Sequence, residues 1–258
     1  MWMSFLHALL LAAILALLAW RTVRNQQATI AFKAFNETRD RQRAFKTKFW
    51  QSLLMFGGGG VAVLVLIGRS DALWSFPAEF AALQPDGKAA FADHPLAHLA
   101  GILIGLTVAS LTVYAVWRFV LGRRSQPVVG AVSHLFPRNQ KEAVLLVPLA
   151  INAGVSEEIM FRLALPLLAT LATGSATLGF AISAITFGLM HWYQGWRGVI
   201  ITGLSSYLFI SIYMQFGSLL APIALHAAID LLALVVRPAI SLRLDRSKSD
   251  SDAQVELP

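Results

Sequence analysis

The chain contains no cysteine. Disulfides, thiol nucleophiles and thiolate-based metal centres are therefore excluded. Charge is also scarce. Only 14% of the 258 residues are Asp, Glu, Lys or Arg, against about 25% in a soluble domain. The alternation of a half-buried strand is missing, as are an internal repeat and a His-Glu-x-x-His signature. What fills the chain is apolar: 57% of it is hydrophobic, in continuous runs of about 20 residues, the length that crosses a bilayer. In lipid only helices or closed barrels satisfy their backbone groups, and unalternating runs select helices.

The pattern predicts an all-α, polytopic transmembrane helix bundle. Seven spans fall at about 2–20, 50–68, 96–117, 143–168, 177–193, 199–215 and 219–236. Residues 2–20 have no Lys or Arg before them, and Arg21 and Arg24 follow, the reverse of a secretory signal. The segment reads as a retained helix with its N-terminus outside. With seven alternating spans, eighteen of the twenty-one Lys and Arg fall inside and two outside, Arg69 and Lys88. The positive-inside rule thus agrees with the count and puts the C-terminus in the cytoplasm.

The net charge of +7 sits beside the spans, where it acts on topology and anionic lipid. Nucleic acid is not an expected partner; the lipid bilayer is. Three regions follow: N-terminal helices with a basic cytoplasmic loop over 1–120, a second membrane domain over 121–240, and a disordered tail over 241–258. Two readings stand for segment 21–48, with Ile30, Phe32, Phe35 and Phe45 among its charges. It is an amphipathic helix on the inner surface or a solvated linker. Gly57 to Gly60 allow close helix approach, and Pro148 and Pro166 are kink sites in the fourth span.

Ionisable groups interrupt the apolar second half. Each costs about 2.5–3.5 kcal/mol on insertion scales, so such groups are rare and commonly functional. Glu158 and Arg162 are four apart and share a helix face, which suits an ion pair. Glu157 is turned about 100° away and lacks that partner, which suits a general base. The structural alternative is that both glutamates merely tie helices together. His191 follows Phe187 by four residues, so the ring of Phe187 can pack under its imidazole. Taken alone, His191 beside Trp192 and Tyr193 also fits an interfacial residue. His226 and Asp230 are again four apart, as when a carboxylate fixes an imidazole tautomer; a purely structural pair reads the same way.

The order Glu157-Glu158-x-x-x-Arg162, Phe187-x-x-x-His191, His226-x-x-x-Asp230, over roughly 140–236, resembles the CPBP family. These are the CAAX-protease and bacteriocin-processing enzymes, also called ABI proteins, which include the type II CAAX prenyl endopeptidases. The resemblance implies a glutamate-dependent intramembrane protease acting on a protein or peptide, without a cofactor, in the bacterial inner membrane. Glu157 and His191 would hold and deprotonate a water, and His226 would face the oxyanion. Glu158, Arg162 and Phe187 would support the site. The last position is often Asn in type II enzymes; Asp230, when ionised, only accepts hydrogen bonds and is expected to orient His226. Zinc held by Glu157, His191 and His226 is the metalloprotease alternative. A proton-coupled transporter and an immunity or adaptor protein are the readings from other classes. On these boundaries the three groups lie at different depths.

Overall fold

A computed structural model describes residues 2–85, 91, 93–123 and 132–244. It contains seven principal helices: α1 Trp2–Lys33, α2 Thr38–Leu66, α3 Pro95–Val120, α4 Gln140–Thr173, α5 Ala176–Met190, α6 Trp196–Phe216 and α7 Leu220–Leu244. There is no strand among the described residues. The protein is an all-α polytopic membrane bundle. Each span placed from the sequence corresponds to one helix. Six of the seven are long and apolar enough to cross a membrane. The other, α5, has 15 residues and reaches about 22 Å at 1.5 Å per residue, short of a hydrocarbon core of about 30 Å. It stops at Met190 rather than running to 193, and His191 ends it in a non-helical conformation.

Segment 21–48 differs from both readings of it. It consists of the ends of α1 and α2 themselves, joined by a turn at 34–37. A contact more than a hundred residues away explains this. Arg41 and Glu142 are both buried and pair at 3.1 Å. Arg41 also donates to the carbonyls of His134 and Phe136, and its guanidinium lies over the rings of Phe32 and Phe45. A charge that looks solvated in the sequence is neutralised by a partner on α4. The residues of the expected tail beyond Leu244 lie outside the described ones.

The helix that matters most is α4, buried without interruption from Met160 to Thr170. Small residues let its neighbours approach. A Cβ on Gly60 of α2 would stand 2.9 Å from Ile159, and one on Gly57 would stand 3.1 Å from the Ser156 hydroxyl. On the other side, a Cβ on Gly154 would sit 2.9 Å from the Ala227 nitrogen and 3.1 Å from the Ile223 carbonyl of α7. Such contacts are the usual basis of close helix packing in lipid. Directly after Glu158 the helix widens into a π turn, Ile159–Ala164, a feature frequent at functional sites. Pro166 follows and has no N–H to give. The carbonyl five residues earlier, on Phe161, accepts from Ser183 on α5 at 2.6 Å. By contrast α3 leaves Leu96, Ile104 and Val108 exposed, as a lipid-facing helix would.

Gly154→Val should push α4 and α7 apart. Overpacking of this kind costs about 1–3 kcal/mol. A lower thermal midpoint in detergent is expected, and an unchanged midpoint would contradict the close crossing.

Candidate active site

Arg162 and Glu158 lie completely out of contact with solvent, with Arg162 Nε 3.0 Å from Glu158 Oε2. The N–H is not aimed at the oxygen, and Nη1 and Nη2 find no hydrogen-bond acceptor. Charge rather than a directed hydrogen bond therefore holds the pair. Two aromatic faces cover the guanidinium: Phe187 at 4.4 Å and Phe209 at 4.9 Å. Planar, weakly hydrated arginine tolerates such a sandwich better than lysine would.

The other oxygen of Glu158 reaches α7. Its Oε1 lies 2.7 Å from His226 Nδ1. An ionised carboxylate only accepts, so Nδ1 carries the proton and donates. Helix spacing points His226 at Asp230; the structure gives the orienting contact to Glu158. Asp230 is instead 3.9 Å from the opposite ring nitrogen, Nε2. The reason is the close crossing at Gly154, which brings the carboxylates of α4 alongside α7. The imidazole also stacks on Phe209, 5.0 Å between centroids and 16° between planes. It is fixed by one hydrogen bond and one ring face.

Glu157 is the carboxylate that is left. It has no cation of its own on the helix and retains 16% side-chain exposure, and its Oε2 is 4.0 Å from His226 Nε2. His191 stands across from it, ending α5. Its Nδ1 is 2.8 Å from the Phe187 carbonyl, and a carbonyl can only accept. Nδ1 is therefore the protonated nitrogen and Nε2 has a free lone pair. Phe187 lies 4.7 Å from this imidazole between centroids, so one phenyl ring touches both His191 and Arg162.

Glu157, His191, His226 and Asp230 line a single cavity of about 560 Å³, within the range of ~300–1,000 Å³ for ligand sites. The groups that seemed to lie at different depths are therefore brought together. Two features of the cavity carry no motif in the sequence. Tyr193, read there as an interfacial neighbour of His191, faces the same space. So do Arg21, Lys48 and Arg237, from α1, α2 and α7. Their position beside spans was legible, but not their shared destination. Among the described residues no group of three or more His, Asp and Glu has the arrangement a metal ion needs.

Glu158→Gln should leave Arg162 buried without its counter-charge, at a cost of about 3–5 kcal/mol. Glu157→Gln, at the cavity wall, should cost much less. Denaturation of the two variants in mild detergent compares them. Equal losses would dissolve the distinction between the two glutamates.

No curated protein and no solved structure matches the chain. One protein-family model does, described as type II CAAX prenyl endopeptidase Rce1-like, and it covers residues 139–232. That stretch holds Glu157, Glu158, Arg162, Phe187, His191, His226 and Asp230, all in the order the sequence shows. Residues 139–232 of the chain are thus similar to the type II CAAX prenyl endopeptidases of the Rce1-like family, the group that the order of the motifs resembles.

Proposed function

We propose that this protein is a glutamate-dependent intramembrane endopeptidase. It cuts a membrane-tethered protein or peptide near its terminus or membrane segment, using water activated by Glu157 and His191. The observation that carries the reading is the meeting of Glu157 with His226, at 4.0 Å, in the cavity that His191 also lines. The similarity of residues 139–232 to prenyl endopeptidases supports it.

The chemistry follows from the donors and acceptors. Water sits between the Glu157 carboxylate and the free lone pair of His191 Nε2. Glu157 takes a proton as the water oxygen attacks the peptide carbonyl carbon. The carbonyl oxygen becomes an oxyanion. His226, held as an imidazolium by Glu158, donates its Nε2–H to that oxygen. Glu157 then passes its proton to the amide nitrogen, the C–N bond breaks, and the products are a carboxylic acid and an amine. Asp230 flanks Nε2 at the cavity edge, 3.9 Å away, and adds a negative charge beside the ring that Glu158 and Phe209 orient. Glu158, Arg162 and Phe187 position these groups without touching the substrate. The enzyme works as a multi-pass protein of the bacterial inner membrane, with its basic loops in the cytoplasm.

Reconstituted protein and a labelled prenylated CAAX peptide test the reading. Glu157→Ala and His191→Ala should abolish cleavage, since removal of a general base costs about 10²–10⁴-fold. Asp230→Asn should retain measurable turnover. Wild-type cleavage by Glu157→Ala would sink the mechanism. A chelator should leave the rate unchanged; a loss restored by zinc would assign the chemistry to a metal instead.

A further inference from the structure

We propose that the groove between the first turns of α4 and the last turns of α7 binds an anionic phospholipid, with an acyl chain along the groove and the phosphate at Arg243. The site is separate from the cavity of Glu157, and the inference does not rest on the endopeptidase reading.

The groove has a volume of about 330 Å³ and is walled by Ala143, Val144 and Val147 of α4 and by Val235, Ala239 and Leu242 of α7. Its polar groups are Gln140 and Arg243. Val235 faces this groove, whereas Ala233 and Arg237, two residues to either side, face the cavity of Glu157. At about 100° per residue the two spaces lie on opposite faces of α7. On α4, Ala143 and Val147 face the groove while Leu146 and Leu149 face the cavity. An occupant of the groove therefore leaves the cavity free.

The polar groups gather at one end. Gln140 is the first residue of α4, and Arg243 is the last but one of α7. Arg243 is exposed and has no hydrogen bond or ion pair with a described residue. Glu142, the acidic group of the neighbouring turn, is buried and already taken, by Arg41 at 3.1 Å and by the Arg138 N–H at 3.0 Å. Lys141 beside it is exposed. The mouth of the groove is thus positive and its floor is hydrocarbon.

That combination selects the occupant. Val144 is 68% exposed on the groove wall, and the bundle lies in lipid, so apolar matter fills the space. A second copy docking by the same face would bring its own Arg243 and Lys141 against these, and like charges across an interface oppose docking. A neutral lipid leaves the guanidinium unused. An anionic phospholipid meets both parts: hydrocarbon against the valine, alanine and leucine side chains, phosphate against a planar donor fork that suits it. The mouth lies at the end of the bundle where the basic segments gather, which the positive-inside rule puts in the cytoplasm. Basic pockets between transmembrane helices on that side are a recognised form of headgroup site. A lipid seated there touches α4 and α7 together, the two helices whose crossing brings Glu158 to His226.

Native mass spectrometry of the full chain, released from detergent with equal amounts of phosphatidylglycerol and phosphatidylcholine, tests the site. Phosphatidylglycerol should be retained about tenfold better, the worth of one charge-assisted contact. Arg243→Gln should bring the two lipids to equal retention, and Arg243→Lys should keep the preference. Arg197→Gln, which removes another exposed cation at the turn between α5 and α6, should change nothing. Val144→Phe, which fills the groove from an exposed position, should lower retention of both lipids. Phosphatidylglycerol should also raise the thermal midpoint of the wild type more than that of Arg243→Gln. Equal retention by the wild type, or an undiminished preference in Arg243→Gln, overturns the proposal. So does displacement of phosphatidylglycerol by an equal concentration of soluble glycerol 3-phosphate, which makes the site one for a free anion. So does a dimer mass that Val144→Phe removes, because a second copy then covers the groove. None of these measurements uses cleavage, so the lipid site and the endopeptidase reading fail separately.

Discussion

The site depends on burying one arginine. Arg162 has no solvent contact, and an isolated ion in that position carries a penalty of several kcal/mol. Three things offset it: the Glu158 carboxylate at 3.0 Å and the ring faces of Phe187 and Phe209. Each of these then acts a second time. Glu158 holds His226, Phe209 stacks on the same imidazole, and Phe187 packs on His191 while its carbonyl accepts a hydrogen bond from Nδ1–H. The groups that neutralise the arginine are thus the groups that aim both histidines. Stability and positioning share one set of contacts, so neither can be altered without the other.

That arrangement explains why two adjacent glutamates are present. A helix turns about 100° per residue, so neighbouring side chains face different surroundings. Glu158 turns into the packed interior, where it pairs in charge with Arg162 and accepts a hydrogen bond from His226. Glu157 turns to the cavity, where it keeps partial exposure and a lone approach to His226. Two residues of one chemical type meet different surroundings, a packed interior and a cavity wall, through their angle alone. The π turn that begins at Ile159 keeps α4 continuous past Pro166 while holding both carboxylates at the α7 crossing.

Much of this was legible in the sequence. Continuous apolar runs located each helix, and i,i+4 spacing found the Glu158–Arg162 pair. The partner of His226 was not legible. Local spacing offers Asp230, whereas Glu158 is 68 residues away and is brought there by Gly154, whose absent Cβ carries no signal of its own. Depth was equally hidden, since it depends on where α4 and α7 cross and on α7 continuing to Leu244. Segment 21–48 misled for the same reason. Its charges look solvated until Glu142 is placed against Arg41. Periodicity reports what one helix does; it is silent about which helices meet.

The N-terminal helices change meaning in this light. They carry no recognisable motif and fall outside the family match, yet α1 and α2 wall the cavity with Arg21, Asn25, Lys48, Ser52 and Phe56. The groups proposed to react come from α4, α5 and α7, and much of the remaining polar wall comes from α1 and α2. The hydrolysis proposed above needs only the first set. Discrimination among substrates needs surfaces that touch the chain away from the bond being cut, because binding energy at a distance from the reacting atoms is what separates one substrate from another. A chain that keeps the proposed chemistry in one segment and lines the rest of the cavity from another can alter what it recognises without disturbing the buried arginine around which that segment packs.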